Sequence, residues 1–311
     1  GMGMVAIRCA FRGGTRGGGG GLRGGGQGRR IRPSWPDETG SGRPRMKACI
    51  HRGARQIGGT AIELRHDGAG ILLDLGLPLD AGAADAALLP PVPGLLGEGP
   101  SLLAIVLSHG HADHWGLVPL ARPGLPVLVG AAAERMQAAA ARAFGRPPPF
   151  RASQHLRHRQ PIAIGPFRIT PFLACHSGYD AYSLLVEAGG RRLFYSGDLR
   201  AHGRKAGIFE SLLAHPPRDV HAMLMEGSAL GRLDPEARFP TEQEIEERLL
   251  AVMRAAPGLV LVAASAQNVD RVVGIHRAAK RAGRRLVLDL YASEVLEATG
   301  NPRIPSPLFH D

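Results

Sequence analysis

The stretch 101-SLLAIVLSHGHADH-114 constrains this chain more than any other. Between Ser101 and Ser108 it is a continuous apolar run of strand length, the pattern of a strand buried on both faces. At the C-terminal end of that run stand His109, His111, Asp113 and His114, four metal-type side chains within six residues. A buried strand that ends in imidazoles and a carboxylate points to a sheet whose strand ends gather a site. Imidazole and carboxylate together suit zinc or a similar transition metal. His109 and His111 lie two apart at a strand end and point the same way. Four such side chains crowd one tetrahedral ion, so two ions sharing them fit better.

The flanking pattern places this run in a sheet. The segments 47–53 and 60–68 read as two strands joined by a Gly58–Gly59 turn, and 70–76 as a short apolar strand ending near Asp74. Further strands are predicted at 126–130, 167–174, 182–189, 192–198 and 221–227, with an Ala-rich helix over 131–143. Strands first, then strands alternating with helices, suit a layered α/β domain. After Glu226 the texture changes. Thr241 and Glu244 have capping-box spacing ahead of a helix over 242–255. A strand at 258–265, a helix at 268–283 with Asn268 as its N-cap and Gly283 as its stop, a strand at 285–291 and a helix at 292–300 then alternate. This is the pattern of a doubly wound sheet. Two parallel strands make an unfinished sheet, so a truncated second domain is expected over 241–311.

The N-terminal segment is different in kind. Residues 1–45 hold 15 of the 43 glycines and nine arginines against Asp37 and Glu38. Such a stretch buries too little apolar surface to offset its ordering entropy, and disorder is expected across it. It reads either as an RGG-like arm that binds RNA or as a stretch upstream of a true start at Met46. Most of the net charge of +11 sits there, so the body of the protein is only mildly basic. No apolar run is long enough for a membrane span, and no export-signal pattern is visible, so no membrane partner is expected. Three scattered cysteines, Cys9, Cys49 and Cys175, make no disulfide framework, and a cytoplasmic location is expected.

Two more candidate ligands, His176 and Asp198, stand at the C-terminal ends of predicted strands. The order Asp74, His109-x-His111-x-Asp113-His114, His176, Asp198 resembles the metallo-β-lactamase fold superfamily over about residues 46–226. The resemblance implies an αββα sandwich (46–240) with a binuclear metal site at one edge. It implies that His109, His111 and His176 hold one ion, that Asp113 and His114 help hold the second, and that Asp198 bridges both. Asp74 would orient a ligand histidine. Two divalent cations, zinc by expectation with manganese as the alternative, would depress the pKa of a bridging water and supply hydroxide as the nucleophile.

Three further features narrow the substrate. The opening 49-CIHRGARQIGGTAIEL-64 is similar to the start of the β-CASP and RNase J nucleases, Glu226 to the acid those proteins carry after the bridging Asp, and 263–300 to the opening of a β-CASP domain. This implies an RNA-processing phosphodiesterase with Asp113 and Glu226 in catalytic roles, Glu226 in a proton-relay pair. Single-stranded RNA would bind between the two domains, and Arg271, Arg277, Lys280 and Arg281 on one helix would contact phosphates. A homo-oligomer is compatible with the sequence. The alternatives are a lactonase- or thioesterase-type hydrolase of the same fold and a non-catalytic RNA-binding fragment. The family's further histidines would lie beyond residue 311.

Overall fold

The structure is a computed structural model that describes residues 4–8, 45–97, 101–229, 234 and 236–305, with the backbone path alone for Met4–Arg8. Two sheets face each other. The first has six strands in the order β2-β3-β4-β5-β6-β7. These are β2 (Lys47–Arg52), β3 (Ala61–His66), β4 (Ala69–Leu73), β5 (Leu102–Val106), β6 (Val127–Gly130) and β7 (Gln154–Leu156). The second has five strands in the order β12-β11-β10-β9-β8. These are β8 (Ile162–Ile164), β9 (Phe167–Ala174), β10 (Ala181–Ala188), β11 (Arg191–Tyr195) and β12 (Ala222–Leu224).

Strand alternation builds the layers. In β4, Ile71 and Leu73 enter the core between the sheets, while Leu72 turns to the outer core. In β5, Ala104 and Val106 face inward, and Ile105 joins Leu72 outside. In β10, Leu184 and Val186 meet the first sheet, and Leu185 packs outward with Phe172, Phe194 and the partly buried Leu212 of α3 (Ala206–Ala214). Both faces of each sheet are thus covered along these strands, as their unbroken apolar runs require. With α2 (Ala131–Ala143) beyond the first sheet and α3 beyond the second, the architecture is the expected αββα sandwich.

The segment after residue 240 follows the predicted alternation: α4 (Glu242–Ala255), β13 (Val260–Ala263), α5 (Val269–Arg281), β14 (Arg285–Leu288) and α6 (Leu290–Ala298). The capping box of α4 is complete. Thr241 Oγ1 accepts from Glu244 N at 3.1 Å, and Glu244 accepts from Thr241 N at 2.7 Å. Asn268 caps α5 by accepting from Arg271 N, and Gly283 follows that helix at φ +65°. Met136 of α2 enters the core of this segment, so its helices pack directly on the sandwich.

One expectation fails at its edge. Met4–Arg8, placed by sequence in a disordered arm, forms β1, which pairs in parallel with both β13 and β14 in a sheet of order β13-β1-β14. The sequence MVAIR is itself a short apolar run, and it occupies two strand edges that would otherwise carry unpaired backbone groups. The rest of that expectation, over residues 9–44, lies outside the described residues. Among those described, no helix is long and apolar enough to cross a membrane.

Candidate metal centre

The site forms where β4 and β5 end side by side. Asp74, directly after β4, is fully buried and adopts φ +59°, a left-handed conformation uncommon for a residue with a Cβ. Four hydrogen bonds hold it there. Its carboxylate accepts from Ser108 N (2.7 Å), Ser108 Oγ (2.8 Å) and Tyr195 OH (2.6 Å), and lies 2.8 Å from His114 Nδ1. The last contact fixes the ring of His114, so that its Nε2 faces Asp198 Oδ1 at 3.4 Å and Asp113 Oδ2 at 3.8 Å.

The short helix α1 (Ala112–Trp115) is laced to the chain after β4 and to Thr60, just before β3. Leu77 N donates to Ala112 O, Leu75 N to His114 O, and Thr60 N to Asp113 O, all within 3.0 Å. Gly76 makes this closeness possible, because any Cβ there would overlap the carbonyl of Asp113.

Two groups of side chains converge. In the first, His109 Nε2 and His176 Nε2 each lie 3.1 Å from His111 Nδ1. In the second, His109, His114 and Asp198 bring one ligand atom each within 4.8 Å of one another. Asp113 belongs to neither trio and stands beside the second. Burial first, and then the neighbouring imidazoles, push His109 well below the ordinary histidine range and His176 down to about 3. Three imidazole nitrogens, each held below the ordinary histidine range, thus meet at one point, the donor set a borderline divalent cation takes. Burial opposes the charge on His114 and on Asp198. In His114 the carboxylates of Asp74 and Asp198 outweigh it and raise the pKa, and in Asp198 the surrounding histidines outweigh it and lower the pKa.

The other expected residues are more scattered. Glu226 lines a cavity of about 630 Å³ that also touches Asp113, His114 and Asp198. Both Glu226 oxygens are occupied by protein donors, Oε1 by Leu199 N at 2.7 Å and Oε2 by Ser228 Oγ at 2.7 Å. The cavity opens beside the β2–β3 loop, between Arg55, Ile57 and Met223, and none of the α5 cations lines it. Arg271 and Arg281 are committed elsewhere: Arg271 grips Glu242 with two bonds, and Arg281 pairs with Glu246 and Glu247. Arg277 and Lys280 are exposed, and among the described residues neither makes an ion pair. The expected four-residue phosphate face is therefore half engaged by carboxylates, because helical periodicity predicts a face but not its partners.

Sequence reasoning missed Ser108, Tyr195 and Asp180. Asp180 accepts from Ala132 N at 2.8 Å at the start of α2 and from Tyr182 OH at 2.8 Å, pinning the loop that carries His176. The position of Ser108 directly before the cluster was the one local signal. The others act across the fold.

Residues 71–277 match the family model described as the beta-lactamase superfamily domain. The chain belongs to the beta-lactamase superfamily. Its fold and family make it a superfamily hydrolase and imply a divalent metal at this histidine cluster. It is similar to ribonuclease J of Mycobacterium tuberculosis (strains CDC 1551 / Oshkosh and ATCC 25618 / H37Rv), 29% identical over 255 residues. Ribonuclease J of Mycolicibacterium smegmatis is 26% identical over 248 residues. The match covers 75% of this chain but 42% of those relatives, so the superfamily member described here spans less than half their length. A solved structure, a protein of unknown function from Enterococcus faecalis V583, shares the fold with a TM-score of 0.68 at 20% identity, over 83% of this chain and 68% of that one.

Proposed function

We propose that this chain is the metal-binding part of an RNA-cleaving phosphodiesterase that uses two divalent ions, zinc with manganese as the alternative. His109, His111 and His176 hold one ion. His114 and Asp113 would hold the second, with the Asp198 carboxylate available to both. The observation that carries this reading is the convergence of the three imidazoles at 3.1 Å, with their pKa values depressed, at strand ends built by Asp74. The bound ions would acidify a water and draw charge from the attacked phosphoryl oxygen. The chain's own residues do the rest. Asp74 holds His114 by Nδ1 so that Nε2 remains a ligand. Ser108 Oγ lies 3.0 Å from His109 Nδ1 and fixes that ring in the same way. Glu226 holds the Leu199 amide beside Asp198 and faces the cavity, where it is assigned to leaving-group proton transfer.

RNA as substrate rests on the relatives that are named ribonuclease J and on the exposed Arg277 and Lys280 of α5. The sandwich over 46–240 and the segment over 241–311 then form two domains with the polyanion between them. A second reading, a small-ester hydrolase, draws support from the cavity, whose walls include Ile50, Ile57 and Met223. Incubation of the whole metal-loaded chain, which keeps β1 in its sheet, with end-labelled single-stranded RNA, and in parallel with lactones and thioesters, separates the two. RNA cleavage is expected. Its binding should weaken with salt at a log–log slope of about −0.7 per neutralised phosphate, and the slope should shrink in Arg277→Ala/Lys280→Ala. Ester turnover without RNA cleavage would overturn the RNA reading.

A further inference from the structure

Asp198 is followed by a loop that reaches away from the sandwich and into the segment after residue 240. Arg200, two residues on, is its anchor. Arg200 N donates to Cys175 O at 2.7 Å, and Cys175 precedes His176, so this one bond joins the loops of two site residues. Its guanidinium points the other way. Nη1 bonds Glu242 Oε1 at 3.1 Å on the first turn of α4, and Nη2 bonds Asp270 Oδ2 at 2.8 Å on the first turn of α5.

The same loop is tied again at each following step. His202 O accepts from Glu242 N at 3.0 Å. Arg204 N donates to Asp270 Oδ2 at 3.0 Å, and the Arg204 guanidinium bonds Asp270 O and Glu246. Arg271 closes the array on Glu242. Three guanidiniums, Arg200, Arg204 and Arg271, therefore meet three carboxylates, Glu242, Glu246 and Asp270, in a largely buried layer. Two glycines leave room for it. A Cβ at Gly203 would press on Cys175 Sγ, Arg200 Nε and Asp270 Oδ2, and one at Gly274 on Arg204 Nη2.

A buried ion array of this kind is weak evidence for stability, since desolvation consumes most of what pairing returns. What it does provide is direction. Each guanidinium is planar and bonds in a fixed fork, so the backbone from Asp198 to Arg204 has one allowed placement against α4 and α5. We propose that Arg200 is a positioning residue, which uses Glu242 and Asp270 to hold the Asp198 loop in ligand geometry, so that metal affinity is set in part by the segment after residue 240. This rests on the metal-site reading above.

The test is metal binding by the whole chain, read by competition titration with zinc and by the visible absorption of the cobalt-substituted protein. Arg200→Lys keeps the charge but not the fork. Arg200→Met/Asp270→Asn removes both charges and so leaves neither buried alone. Arg281→Gln cuts the far end of the array, at Glu246 and Glu247, away from the loop. For both Arg200 variants the weaker metal affinity should fall about 10–100-fold, the range for partners that orient ligands, and the cobalt band should shift. Arg281→Gln should lower the melting temperature without either change. If the double variant does not fold, Arg200→Lys alone decides. Unchanged affinity and spectrum in a folded Arg200 variant would overturn the proposal. An equal loss in Arg281→Gln would overturn it too, since that loss would track general stability. An unaltered chain that binds no metal would overturn the metal-site reading as well, and so the two failures are told apart.

Discussion

The strand ends of the sandwich and the sheet after residue 240 are both built on short apolar runs, yet their surroundings differ. Leu73 and Ile105, in the strands that lead to the metal centre, are fully buried, and Asp74 and Ser108 at the ends of those strands are hydrogen-bonded to each other and to His114. In the β13-β1-β14 sheet Leu261 and Val287 remain 72% and 40% exposed, Leu259 just before β13 and Leu290 at the start of α6 are exposed too, and the packing comes from helices. A site that must hold imidazoles within a few tenths of an ångström is built where every neighbour is over-determined. The segment after residue 240 meets the sandwich through α2, α6 and the arginine–carboxylate layer, and its precision is concentrated at that contact.

This contrast can be broken most severely at Asp74. Asp74→Ala would leave Ser108, Tyr195 and a buried His114 without their shared acceptor. A loss of about 3–5 kcal/mol is expected in denaturant unfolding, together with weakened metal binding. A loss below the range of an ordinary surface substitution would show that the strand ends are less determined than they look. Leu73→Ala, in the core between the sheets, should cost about 2–5 kcal/mol by the same measurement, with the metal affinity of the folded fraction retained.

How much of this was visible in the chain beforehand differs in the same way. The sandwich strands and the ligand cluster were legible because their signals are local: apolar runs of strand length and four ligand-type side chains at one strand end. β7 and β8 were missed because three residues carry too little periodicity to read. Tyr195, which bonds a carboxylate 121 positions away, has no local mark at all. Nor does Arg271, whose helix was correctly foreseen but whose partner Glu242 lies 29 positions back, so that a cation read as facing phosphate faces a buried carboxylate. The strand at Met4–Arg8 was hidden by the glycine-rich composition around it.

Smaller changes sharpen the comparison in the second region. Thr241→Ala removes the cap of α4 and should cost about 1 kcal/mol, measured as a shift in the unfolding midpoint. Leu261→Ala, on the exposed face, should change stability by no more than about 0.5 kcal/mol. A cost in the core range at Leu261 would mean that its face is covered in solution, and the contrast would then narrow.

The metal-site proposal stands or falls on whether the histidine cluster binds a pair of divalent ions. Metal content per chain, measured by mass spectrometry on protein purified without chelators, tests it most directly, in the unaltered chain and in His111→Ala and His114→Ala. About two equivalents are expected in the unaltered chain and a loss of about one in each variant, since the two rings are assigned to different ions. No bound metal in the unaltered chain, or the same content in all three proteins, would contradict it.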